Sequence, residues 1–235
     1  MRNTSTTGRE RGARSASAWI ALGALLGLPV LASARTLTTN PDAGNNVMSA
    51  VFDAAIGERI TAVSSAVDCT LDVDEHAQVG SATCHVPLSS VVVDNEPTKT
   101  EHFKQWATNK KGPAESCSFD LVVDEFEVEG RVEPKMPVEF ETTGTFTICG
   151  RKREGGGKEK ITGTLIHLPP GTYGSNEMLR VRARIEDFDR EAYGITPAAT
   201  PGWLARVQSL APVVAGKGTI EVNIFARAPE APAKP

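Results

Sequence analysis

Apolar and polar residues alternate with period two along most of this chain, the pattern of strands that bury one face and wet the other. Val67, Cys69, Leu71 and Val73 share one face of a strand predicted over 66–73, and Ala82, Cys84, Val86 and Leu88 share one face of another over 79–88. The same alternation predicts strands near 47–54, 58–65, 116–129, 137–149, 160–168, 178–188 and 218–227. Within 116–129 the parity changes. Phe119, Leu121 and Val123 alternate at odd positions, Phe126 and Val128 at even ones, so a bulge is expected near Asp124-Glu125. Glu154 to Lys158 reads as a hairpin turn, and Pro169-Pro170-Gly171 as a break. Eight or nine strands with short turns and no βαβ rhythm predict an all-β antiparallel fold, a barrel or a sandwich.

One stretch departs from period two. Val91, Val92 and Val93 end at Asp94-Asn95, residues that suit a helix start, and Pro97 sits where a first helical turn would begin. His102, Phe103, Trp106 and Ala107 then fall on one helical face, with Lys99, Glu101, Lys104 and Gln105 opposite. A short amphipathic helix in a β-rich chain is expected to cover a barrel mouth or an open sheet edge.

The ends of the chain have a different character. Arg2, Arg9, Arg11 and Arg14 precede an uncharged run from Trp19 to Leu31, and Ala32-Ser33-Ala34 offers small residues for a peptidase. This is the layout of a cleavable secretory signal over 1–34, and the run is too short to span a membrane, which needs about 20 residues. An exported product, periplasmic or secreted, with no stable membrane insertion is expected. Residues 35–46 read as a loose start, 47–227 as one domain, and 228–235 as a disordered Pro/Ala tail.

Removing 1–34 takes those four arginines and Glu10 from totals of 25 basic and 29 acidic residues, leaving 21 and 28, a net charge of −7. Such a balance argues against nucleic acid as a partner. Cys69, Cys84, Cys117 and Cys149 make an even set in an exported chain, none in CxxC spacing, which favours disulfides over free buried thiols. Three connectivities are open. A hairpin turning at His76-Ala77 sets Cys69 opposite Cys84 and Leu71 opposite Ala82, within reach of a bridge; Cys117–Cys149 follows by elimination.

Catalytic signals are absent from the sequence. No serine sits in GxSxG, and His76, His85, His102 and His167 form neither HxH nor HExxH. Gly155-Gly156-Gly157 lacks the GxxxxGK[ST] context of a phosphate loop. No catalytic residue, metal or cofactor is expected. His102 on the helix and Arg190 after the alternating Val181, Ala183 and Ile185 are candidates for ligand contact, or for hydrogen bonds that pin the helix to the barrel.

Three stretches, taken in order, carry a resemblance. Val86-Pro87-Leu88-Ser89-Ser90-Val91 followed by Lys99-Thr100-Glu101-His102-Phe103-Lys104 is the first. Phe119 followed by Thr143-Gly144-Thr145-Phe146-Thr147-Ile148-Cys149-Gly150 is the second, and Phe188-Asp189-Arg190-Glu191-Ala192-Tyr193-Gly194-Ile195 is the third. Together they resemble the YceI-like family, exported lipocalin-like barrels associated with polyisoprenoid binding. The chain departs from that pattern at Lys99-Thr100, Phe103 and Cys149, and in a long insert over 196–217.

The resemblance implies an antiparallel eight-stranded lipocalin-like β-barrel with one short amphipathic helix. It also implies a non-enzymatic protein whose interior holds an isoprenoid lipid or similar long apolar molecule. Phe119, Leu121, Val123, Phe126, Phe140, Phe146, Ile148 and Ile185 would line that interior, Phe103 and Trp106 would close the helix side, and His102 and Arg190 would contact the ligand. The alternative is a disulfide-bonded interaction module with a filled core, binding a protein partner through the 196–217 insert with Trp203, Leu204 and Leu210. An enzyme using His102 and Arg190 is the third reading, and lacks a second acid or base.

Overall fold

The computed structural model describes residues 34–54, 57–108, 114–126, 128, 130–172, 176–195 and 214–229. The expected signal up to residue 33, the tail from 230 and the insert residues Trp203, Leu204 and Leu210 lie outside the described residues.

Among the described residues, twelve strands and one α-helix follow in order. They are β1 (Arg35–Thr38), β2 (Val47–Ala54), β3 (Arg59–Ser64), β4 (Asp68–Val73), β5 (Val79–Pro87) and β6 (Val92–Val93). Then come α1 (Pro97–Thr108), β7 (Ser118–Val123), β8 (Pro137–Ile148), β9 (Arg151–Lys152), β10 (Glu159–Leu168), β11 (Met178–Asp189) and β12 (Val214–Arg227). All pairings between these strands are antiparallel.

Three staves of the wall are broken in two: β1 with β2, β3 with β4, and β5 with β6. β2 pairs with β3 and β1 with β4, while β12 meets β2 at Asn223↔Val47 and β1 at Arg227↔Thr38. Counted by stave, the sheet closes as an eight-stranded antiparallel barrel with one helix, the fold the resemblance implies.

Side chains carry hydrogen bonds across the breaks, where the backbone ladder cannot. Thr39 Oγ1 donates to the Val67 carbonyl at 2.8 Å and accepts from the Cys69 N–H at 2.7 Å. Asn46, 1% exposed, accepts from the Phe225 N–H at 2.8 Å and donates to the Asn40 carbonyl at 2.9 Å.

Three expectations need correction. Residues 35–46 are not loose throughout, because Arg35–Thr38 pairs with both β4 and β12. The last strand begins at Val214, so the final four residues of the supposed insert belong to the wall. Asp94 and Asn95 both take left-handed backbone (φ 48° and 56°), forming a turn ahead of the helix instead of its cap. By contrast, the bulge expected near Asp124-Glu125 is present as a one-residue shift. β7 stays in register up to Val123, opposite Ala82; beyond it the Phe126 N–H meets the Gly80 carbonyl at 3.2 Å and Val128 pairs with Phe140.

Both disulfides are formed, Cys69–Cys84 and Cys117–Cys149. The first joins directly opposed residues of β4 and β5, in the expected register. The second ties the residue before β7 to the β8–β9 turn, where Cys149 and Gly150 are both left-handed (φ 50° and 72°), the geometry that matches hairpin twist.

The interior is uneven along its length. Leu37, Leu71, Val73, Leu165 and Leu179 are each at most 2% exposed and fill one half of the barrel. At the other half the wall is incomplete. β5 and β7 pair no farther than Pro87↔Ser118, and β6 turns away to pair with β3. α1 packs against β6 at this seam, and its Thr100 hydroxyl accepts the Val93 N–H at 2.9 Å. No helix among the described residues is long and apolar enough to cross a membrane.

Candidate functional site

Beside α1 the barrel is hollow, with a cavity of about 490 Å³. Small-molecule sites commonly run from about 300 to 1,000 Å³, so the space is ligand-sized. Its wall is made of inward positions of β2, β3, β7, β8, β11 and β12, together with Val91 and Val93. A larger concavity, about 650 Å³, lies on the outer wall among Thr162, Arg182, Arg184, Glu186 and Glu221, an open saddle that gives an apolar chain no cover.

Strand parity explains the lining. Met48, Ala50 and Phe52 occupy alternate positions of β2 and point inward. Ala50 sits directly opposite Ala62 on β3, and two methyl side chains at that point leave the interior unfilled. Aromatic rings line the helix side. Phe103 of α1 lies 6.3 Å from Phe119, and Phe119 lies 6.3 Å from Phe146. Phe146 then meets Phe188 edge-on at 5.3 Å, with Tyr193 stacked on Phe188 at 5.0 Å.

The twelve residues expected at the ligand separate into two groups. Phe103, Trp106, Phe119, Phe146, Ile148, His102 and Arg190 line the cavity. Val123, Phe140 and Ile185 are buried in the core outside it, each at most 4% exposed. Leu121 also lies outside, its Cδ1 occupying the space that a side chain at Gly144 would need. Phe126, outside as well, packs on Phe140 with ring centroids 4.4 Å apart. All five continue inward-facing rows, Phe126 beyond the one-residue shift, so alternation finds the interior but not where along the axis it is open.

Other lining residues carried weaker signals. The β2 row was visible as alternation but, being Met and Ala, was not read as a pocket wall. Lys99 was placed on the outer helix face, yet Lys99, His102, Phe103 and Trp106 follow one another at offsets 0, 3, 4 and 7 and all reach the cavity. Ala107, by contrast, is fully buried off the lining.

Four ionisable side chains stand in the lining: Lys99, His102, Arg190 and Glu191. Lys99 donates to Glu58 Oε1 at 2.6 Å and Asp94 Oδ2 at 2.9 Å, with Glu96 at 3.7 Å. The Glu58 and Asp94 contacts raise the Lys99 pKa above the ordinary lysine value. Burial pushes the Asp94 carboxyl up, but the Thr61 N–H and Lys99 outweigh it and hold the group below its usual range.

Arg190 is 5% exposed and its donors are engaged by main chain. Nε donates to the Ala215 carbonyl at 3.0 Å, Nη2 to Val214 at 2.8 Å and Nη1 to Ile195. Burial lowers its pKa. It fastens together the chain ends on either side of 196–213. His102 is exposed at the rim.

Behind the aromatic wall, Tyr193 Oη donates to Glu159 Oε1 at 2.6 Å, and Arg153 pairs with the same oxygen at 3.1 Å. Burial and the Glu159 contact push the Tyr193 phenol up. Among the described residues no three His, Cys, Asp or Glu side chains converge as metal ligands would.

Neither a family model nor a curated protein sequence matches this chain. Solved structures do. A polyisoprenoid binding domain from Saccharophagus degradans implicated in plant cell wall breakdown superimposes with a TM-score of 0.55 at 11% identity, over 84% of this chain and 100% of that one. Burkholderia cenocepacia BcnA superimposes with a TM-score of 0.52 at 15% identity, over 80% of this chain and 99% of that one. At these identities the likeness shows a common fold.

Proposed function

We propose that this chain is an exported, non-enzymatic binding protein that holds an isoprenoid lipid or similar long apolar molecule in the barrel interior beside α1. The observation that carries the reading is the cavity of about 490 Å³, walled by Phe52, Phe119, Phe146, Ile148 and Phe188 and closed on one side by Phe103 and Trp106. Each CH₂ buried there contributes about 0.8 kcal/mol, so a few isoprene units bind without many polar contacts. A structural neighbour described as a polyisoprenoid binding domain agrees with this reading. Two disulfides fit an oxidising compartment, which supports export from the cytoplasm. Arg190, committed to three carbonyls, serves the wall and leaves an enzymatic role without its cation.

Native mass spectrometry on protein purified from the periplasm tests this directly. A stoichiometric adduct whose extract shows isoprene-unit mass spacing is the expected result. A bare protein mass that persists after incubation with polyprenyl lipids would replace this reading with that of a filled-core interaction module.

A further inference from the structure

Resting on the carrier reading above, we propose that the cavity selects long apolar ligands with an uncharged head and rejects those ending in a phosphate, diphosphate or carboxylate. The apolar wall says nothing about the head group. The rim does. A chain lying along the aromatic wall leaves its head among the charged residues of the lining, Lys99 and His102 on α1 and Arg190 and Glu191 beyond β11.

An anionic head needs a cation with donors to give. Lys99 is enclosed by the carboxylates of Glu58, Asp94 and Glu96, the first two in hydrogen-bond contact. Arg190 directs Nε, Nη1 and Nη2 at three main-chain carbonyls and lies 3.5 Å from Glu191. Recruiting Arg190 would take a donor from a main-chain carbonyl, and recruiting Lys99 would break its hydrogen bonds to Glu58 and Asp94. Two further cations near the helix are committed in the same way: Lys104 to the Ser89 carbonyl at 2.7 Å, and Arg151 to the Ala107 and Tyr193 carbonyls.

The sign of the local field follows. Of the charges in the lining and their direct ion-pair partners, Lys99 and Arg190 stand against Glu58, Asp94, Glu96 and Glu191, two cations against four carboxylates, with Lys104 and Arg151 farther back on main-chain carbonyls. The Glu191 carboxyl lies beside Gly216, its Cδ 3.2 Å from where a Cβ at that position would stand. At this rim a hydroxyl can donate to the Glu191 carboxylate and a ring carbonyl can accept from His102, whereas a phosphate meets net repulsion from the surrounding carboxylates.

Equilibrium dialysis of the purified, delipidated protein against geranylgeraniol and geranylgeranyl monophosphate, which share one chain, tests the inference. The alcohol is expected to bind about tenfold or more tightly at low ionic strength, and added salt to narrow the gap by strengthening the phosphate alone. Glu191→Lys is expected to narrow it too. Should that variant fail to fold, the salt series on the unaltered protein decides. Equal affinities, or a tighter phosphate, would overturn the head-group rule while leaving the carrier reading intact. Binding of neither probe would remove the carrier reading and the rule together.

Discussion

Single side chains at the filled end show how a charge becomes stability. Glu177 accepts from Arg35 Nε at 2.7 Å and contacts His167 Nε2 at 2.8 Å, joining β1 to the start of β11. Burial alone would raise its pKa, but Arg35 and His167 outweigh burial and hold the carboxyl below the ordinary value of 4.5. Above that ordinary value both folded and unfolded chains carry the charge, so the full contribution is present. As pH falls the unfolded chain takes up the proton first, and the contribution is lost by the time the folded group protonates. Glu177→Gln is therefore expected to cost about 2 kcal/mol at neutral pH and much less near pH 3, measured by urea unfolding. An equal cost at both pH values would mean that shape, not charge, is what Glu177 supplies. None of this was legible in the sequence. Arg35 sat in a polar stretch without strand periodicity, and its partner lies 142 residues away. Arg190 was legible as an unusual residue at the end of an alternating row, but not as one whose three nitrogens each donate to a main-chain carbonyl.

At the scale of elements, the sequence was most readable where local pattern and tertiary demand agree. The β4–β5 pairing of Cys69 with Cys84 and Leu71 with Ala82 was foreseen because alternation, turn and cysteine spacing agree on it, while the one-residue shift between Asp72 and Val73 next to the turn was not. α1 was found for a similar reason, and its place over an incomplete wall follows from its single apolar face. Its exact stripe was missed because the long, charged Lys99 was assigned to solvent, whereas its stem lies along the cavity and its ammonium reaches Glu58. The two disulfides differ in the loops they close, with sequence separations of 15 and 32 residues. Loop-closure entropy then assigns about 3 kcal/mol to Cys69–Cys84 and nearer 4 to Cys117–Cys149. Replacing each pair by serine is expected to lower the urea midpoint in that order. The reverse order would show that the β4–β5 hairpin relies on its bridge for native packing as well as for chain entropy.

For the whole molecule, the division into a filled half and a hollow half is the property on which function depends, and sequence alone could not place it. Inward rows run through both halves, with a shift of register in β11 between Ile185 and Phe188, so alternation describes a packed core and a pocket wall alike. What separates them is volume. Ala226, 0% exposed, lies across the ladder from Leu179 in the filled half, whereas Ala62 lies across the ladder from Ala50 on the cavity wall. A leucine added at each position should have opposite consequences. Ala226→Leu is expected to cost about 1–3 kcal/mol by overpacking. Ala62→Leu has room to bury its new carbons and is expected to leave stability unchanged or raise it by about 1 kcal/mol, while reducing the lipid retained. Urea unfolding reads the first quantity, and native mass spectrometry of the same preparations reads the second. A protein kept hollow forgoes packing it could have had, so gain of stability with loss of ligand at Ala62 would mark the space as serving binding. If Ala62→Leu instead destabilises as much as Ala226→Leu, the wall closes on itself in solution, and the barrel is filled from end to end.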